Sequence, residues 1–312
     1  MKKIISSSIA LTLCLLGLKS TIAQPLKVDG VSSKVKTSLN LYSFNKVLTV
    51  DKSATLENII DYSASAGFDA IDITAYFFPG YPNIPSDEYI NKIKKRAFLL
   101  GLDISGTGVK NDFTNPDPKK RAEDIQLVKN WIDVAEKLGA PVIRVFSGPI
   151  PKGYENKRDV VEKYLIEALT ECAKYGEKKG VLVGVQNHGD FLQTADQVIR
   201  VVKGVNSKWF GTIVDTGYFL TKDPYQDIAK VMPYAVNFQV KESPFGPRSP
   251  IRTDLNKLLQ IVKESGYRGY LPIETLEIKG EPRPVPDIPY DAYKKVPPFL
   301  KDLKTAINKV YQ

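Results

Sequence analysis

Four short segments late in the chain end in side chains that can hold a charge or move a proton. They read GVQNHG (184–189), GTIVDTGYF (211–219), NFQVKE (237–242) and LPIETL (271–276). The first contains His188, the only histidine among the 312 residues. Imidazole has an ordinary pKa near neutrality, so a lone copy behind the apolar run Val181–Val185 is a candidate for proton transfer or metal ligation. The alternative is a rim histidine satisfied by its neighbours. Side chains alternate along a strand, so one choice of face sends Gln186, Asp215, Gln239 and Glu274 inward together from four consecutive strands. Four oxygen-bearing groups at one height suit a hard divalent cation. They equally suit a polar plug in which the amides satisfy the carboxylates. On the same faces, His188 lies two residues beyond Gln186, and Lys241 two beyond Gln239.

Those segments need elements to position them. Strand candidates precede them at Thr37–Leu41, Ala70–Ile73, Asp103–Gly106 and Val142–Phe146. Helix candidates are Leu56–Ala66, Glu88–Leu100, Arg121–Leu138, Val160–Lys179, Thr194–Val202, Pro224–Val231, Thr253–Ser265 and Pro298–Val310. Eight strand–helix pairs predict an α/β fold, a (β/α)8 TIM barrel over residues 36–312. No glycine-rich dinucleotide fingerprint follows the first strand, which argues against an open doubly wound sheet.

Composition adds location and excludes some partners. Residues 1–23 combine Lys2 and Lys3, an apolar run from Ile9 to Leu18 and a small-residue end at Ala23, the pattern of a cleavable signal peptide. That predicts a secreted or periplasmic protein without a membrane anchor, because the run is too short to span a bilayer. Cleavage leaves 41 basic against 35 acidic residues, a net charge of about +6, and only Cys172, so no internal disulfide. The basic residues are scattered, which reads as solvated surface rather than a nucleic-acid patch. The proline-rich stretch Glu277–Pro298 follows the last strand and would lie across the mouth as a long loop. Its Tyr290 and Tyr293 would either stack on a sugar or anchor that loop.

The ordered set of motifs resembles the xylose isomerase-like TIM barrels, also called the sugar phosphate isomerase/epimerase or AP endonuclease family 2 group. The resemblance runs from SLNLYSF (38–44) and GFDAIDI (67–73) to GYRGYLPIETL (266–276). It implies a divalent metal held by Glu, Asp, His and Glu at the ends of strands five to eight, here Gln186, Asp215, Gln239 and Glu274. Two of the four depart from the family pattern. A glutamine offers a carbonyl oxygen but no charge and no base, so the resemblance implies Mg, Mn or Ca bound weakly or not at all. It also rules out the usual two-glutamate proton relay.

The expected catalytic groups are then His188, Lys241 and Glu274: His188 as base beside a carbonyl, Lys241 steadying the enolate oxygen or acting as base. Asp72, Arg144, Tyr76 and Asn187 are candidate substrate contacts, although Arg144 could instead pair with an inward acid. Tyr76, Phe77, Phe78 and Tyr81 form either a wall for a sugar face or a hydrophobic cap. Export and the absence of a phosphate cradle point to an unphosphorylated small-molecule carbohydrate. The expected function is a sugar isomerase or epimerase working by metal-assisted proton abstraction next to a carbonyl. Alternatives are a 3-keto-glycoside lyase at the same site, or a non-catalytic carbohydrate-binding barrel. DNA repair is disfavoured, since the repair members' histidine-rich multi-zinc site cannot be built from one histidine.

Overall fold

Apolar, β-branched runs alternate with amphipathic stretches along this chain, and each run becomes a buried strand. The computed structural model describes residues 35–277 and 290–312. The expected signal peptide (1–23) and the centre of the proline-rich stretch (278–289) lie outside them. The strands are β1 Lys36–Asn40, β2 Ala70–Thr74, β3 Asp103–Gly108, β4 Val142–Phe146, β5 Leu182–Gln186, β6 Phe210–Asp215, β7 Ala235–Lys241 and β8 Tyr270–Glu274. The helices are α1 Leu56–Ser65, α2 Asp87–Leu99, α3 Pro118–Leu138 and α4 Arg158–Lys179 in the first half. The second half supplies α5 Ala195–Val205, α6 Pro224–Val231, α7 Leu255–Ser265 and α8 Ala292–Val310.

Each strand pairs in parallel with the next, and β1 closes the barrel on β8 with Thr37 opposite Leu271. The expected TIM barrel is therefore the observed one. Local chemistry explains the element ends. Thr55 caps α1 reciprocally with Asn58. α3 stops at Gly139, whose φ of 78° lies in the left-handed region that glycine occupies without a Cβ penalty. Among the described residues no helix is long and apolar enough to cross a membrane.

The chain's end departs from expectation. α8 starts at Ala292, not Pro298, and carries Pro297 and Pro298 inside it. A proline removes a backbone donor, but Ala292, Val296, Phe299 and Leu300 are buried, and that packing overrides the local break. Tyr290 and Tyr293 anchor this end of the connection. The Tyr290 hydroxyl donates to the Ser43 carbonyl at 2.6 Å, and the Tyr293 ring packs on Phe44 and Tyr62 at 4.9 and 5.0 Å.

Inside the barrel, the layer below the mouth is polar. Ser38 and Ser105 share a 2.8 Å hydroxyl contact, while the Asn237 amide donates to the Ser105 carbonyl at 3.1 Å and lies 3.4 Å from an Asp72 oxygen. Gly106 makes room for this layer, because a Cβ there would fall 2.9 Å from the Asp72 carboxylate.

Candidate active site

At the C-terminal ends of the strands lies a cavity of about 860 Å³ lined by Asn40, Tyr42, Tyr76, Arg144, Gln186, His188, Tyr218, Lys241 and Glu274 among others. This is the face where TIM barrels carry their sites. The shared inward parity of the four expected oxygen-bearing residues is what the register delivers: Asp215 lies opposite Gln239, and Glu274 opposite Lys241.

The side chains form one continuous network. Gln186 Nε2 donates to Asp215 Oδ2 at 2.6 Å. Lys241 Nζ sits 3.4 Å from the same oxygen and 2.7 Å from Glu274 Oε2. Asn40 Nδ2 reaches Gln239 Oε1 at 2.5 Å and Glu274 Oε2 at 3.4 Å. The orientation of Asn40 is set from outside, because its Oδ1 accepts the Tyr42 backbone N–H at 2.8 Å. That leaves Asn40 its NH₂ for Gln239, so Gln239 presents its oxygen there and its Nε2 elsewhere. Among the described residues this buried Nε2 meets no hydrogen-bond partner. Gly217 lets the lysine in: a Cβ at 217 would lie 2.8 Å from Lys241 Cγ.

The other expected residues divide into those at the cavity and those away from it. His188 lines the cavity, its ring lodged between Phe146 and Tyr218 with centroids 4.6 and 4.8 Å away. Arg144 also lines it. Its expected acid partner is replaced by the Tyr76 hydroxyl, at 3.2 and 3.1 Å from its two terminal nitrogens, and by the Val109 carbonyl. Asn187 turns away from the cavity. Its amide takes both backbone groups of Asp215, each at 2.9 Å, where β5 and β6 end, so it positions Asp215 rather than facing a ligand. Asp72 is buried one layer beneath. Phe77 and Phe78 are buried, Phe78 against Trp131, which makes them the cap and leaves Tyr76 facing the cavity. Sequence reasoning missed Asn40, Tyr42 and Tyr218. Asn40 shares parity with Ser38 at the end of β1, and that was the available signal.

Electrostatics sharpen the roles. Burial would lower the pKa of Lys241, but the charges of Asp215 and Glu274 outweigh it and raise it above the ordinary lysine value, so the ammonium stays charged. Burial and the Glu274 charge push Asp215 up to about 6 against the pull of Lys241. Burial, then the positive charges of Lys241 and Arg144, hold His188 well below the ordinary imidazole pKa. The ring is therefore neutral near pH 7, although its side chain stays 41% exposed and the Asp190 carboxylate lies 3.9 Å from its Nδ1.

The donor set does not fit a divalent cation. Two carboxylates are present, but the Lys241 ammonium already lies between them. Gln186 and Gln239 turn donor nitrogens, not oxygens, toward Asp215 and the unpaired side of the network respectively. A dication would have to compete with the Lys241 ammonium, a like charge, for the same two carboxylate oxygens. Among the described residues no cluster of three or more His, Cys, Asp or Glu could replace them.

Asp72 gives a prediction of its own. Burial raises its pKa to about 7, opposed by the Arg144 charge and helped by that of Glu274. The folded chain then keeps a proton that the unfolded chain releases above its ordinary carboxylate pKa. Stability therefore falls as pH climbs from about 4 to about 7 and stays lower above that, by at most ~4 kcal/mol. Asp72→Asn is expected to melt roughly 5 °C above the wild type at pH 8 and alongside it at pH 4.5. Equal melting temperatures at pH 8 would show that Asp72 is not a buried proton-holder.

The chain is 21% identical over 248 residues to an inosose isomerase of Halalkalibacterium halodurans, covering 74% of this chain and 86% of that protein. It is 22% identical over 260 residues to an inosose dehydratase of Erwinia tasmaniensis, covering 72% and 83%. Its fold superimposes on a D-psicose 3-epimerase of Clostridium cellulolyticum H10, solved with D-tagatose, with a TM-score of 0.71 at 19% identity over 88% of this chain and 99% of that one. Residues 60–302, from α1 into α8, match the family described as xylose isomerase-like TIM barrel. That span contains β2 to β8 and all of the carboxylate–lysine network except Asn40, so the chain belongs to the xylose isomerase-like TIM barrel family.

Proposed function

We propose that this chain is a sugar isomerase or epimerase-type enzyme that removes a proton from the carbon next to a carbonyl of an unphosphorylated carbohydrate. The observation that carries this reading is the 2.7 Å Lys241–Glu274 pair on the cavity wall. Glu274 supplies a carboxylate base. Lys241 supplies a fixed positive charge for the oxygen that becomes negative as the proton leaves, and such preorganised charge is worth most in a water-poor site. Arg144, held by Tyr76 and Val109, and neutral His188, held between two rings, orient the sugar. The inosose isomerase and inosose dehydratase among the relatives support a polyhydroxy keto substrate. The basic start, apolar run and small-residue end of residues 1–23 support an exported protein.

A second reading, elimination from a keto-glycoside, has its own support. A smaller cavity of about 200 Å³ adjoins the first and shares Tyr218, Lys241 and Glu274 with it, which leaves room for a departing group beside the reacting carbon. Gln186, an amide, also leaves the network without a second free carboxylate in the glutamate position the family resemblance implies, and elimination needs a base on one face only. The test is a product screen of purified protein against inososes, free ketoses and 3-keto-glycosides, read by NMR. An isomeric sugar supports the first reading, and an unsaturated ketone with a released aglycone supports the second. Saturable binding with no product from any of them would make the barrel a carbohydrate binder.

A further inference from the structure

We propose that the Lys241 ammonium is the resident cation of this barrel: it takes the place between Asp215 and Glu274 that a divalent ion would need, and the chain works without metal. Three independent observations converge on it. The ammonium bridges the two carboxylates, at 3.4 and 2.7 Å, with its side chain only 7% exposed. The two remaining network residues, Gln186 and Gln239, are amides whose hydrogen bonds fix their NH₂ groups toward acceptors or an unpaired position, so neither adds negative charge nor a committed metal-facing oxygen. The backbone is shaped for the lysine, since Gly217 is the residue whose missing side chain leaves space for the Lys241 stem. The site thus carries one fixed positive charge against two negative ones. Removing the lysine would expose a paired-carboxylate site with both negative charges uncompensated. The catalytic part of this inference, that Nζ binds the substrate oxygen, rests on the proposed proton abstraction. The metal part does not.

The experiment is a Mn²⁺ titration of chelator-stripped, untagged protein, counting free Mn²⁺ by electron paramagnetic resonance. Wild type is expected to bind Mn²⁺ only in the millimolar range or more weakly. Lys241→Ala is expected to bind one Mn²⁺ per chain at least tenfold more tightly than wild type, and Lys241→Ala with Asp215→Asn to lose that gain. One Mn²⁺ bound by wild type at micromolar concentration overturns the proposal, and so does a folded Lys241→Ala that gains no affinity. If Lys241→Ala does not fold, the wild-type titration alone decides. Activity is not needed for this readout, so a chain that turns over no sugar but excludes Mn²⁺ sinks the proposed function and leaves the resident-cation inference standing.

Discussion

Glu274→Gln is expected to lower turnover on the active keto sugar by about 10²–10⁴-fold, the usual consequence of losing a general base. KM should change little, because the amide keeps the shape and still hydrogen-bonds. His188→Ala should cost less than about tenfold in kcat/KM, mainly through KM. The contrast follows from the surroundings of the two groups. Glu274 Oε2 lies beside the ammonium at the cavity wall, whereas His188 is held neutral by burial and by Lys241 and Arg144. Steady-state kinetics of both variants, with melting curves to show that each is folded, decide it. Should His188→Ala lose as much kcat as Glu274→Gln, the base assignment is reversed.

Lys241→Met is expected to destabilise the fold by about 3–5 kcal/mol at pH 8, the cost of leaving buried charges without their partner. Asp215 is fully buried and Glu274 nearly so, so both depend on the ammonium for most of their compensation. The loss should shrink as pH falls toward 5, because Asp215, at about 6 with Lys241 pulling it down and higher without that charge, takes up a proton over this range. Denaturant unfolding of wild type and variant at pH 8 and pH 5 measures it. A variant as stable as wild type at pH 8 would show that Lys241 is a passenger in the network. Turnover should also fall by at least 10²-fold, since a preorganised charge on a developing oxyanion is typically worth that much.

The barrel was legible because its strands announce themselves as short apolar runs ending in polar groups, at a spacing only strand–helix alternation produces. The inward parity of Gln186, Asp215, Gln239 and Glu274 was legible for the same reason: period two leaves only two choices per strand. Parity places a side chain on a face, but it does not give lateral distances. That is why parity puts Lys241 on the face of Gln239 without showing that it bridges Asp215 and Glu274. The register shift between β6 and β7 at Thr212 and Ile213, which sets Asp215 level with Gln239, leaves no sign in the sequence. Asn40 was missed because an uncharged residue on β1 gains its importance only from closure of the barrel onto β8. Asn187 was misplaced because a polar residue at a strand end looks alike whether it faces a ligand or pairs a neighbouring backbone.

Proton abstraction next to a carbonyl is tested most directly by isotope exchange. The chelator-treated enzyme is incubated in D₂O with a convertible inosose, ketose or 3-keto-glycoside, and the carbon beside the carbonyl is followed by NMR and mass spectrometry. Wild type is expected to place deuterium at that carbon in recovered substrate or product, and Glu274→Gln to abolish the exchange. Conversion of the substrate with no deuterium at that carbon would contradict the account.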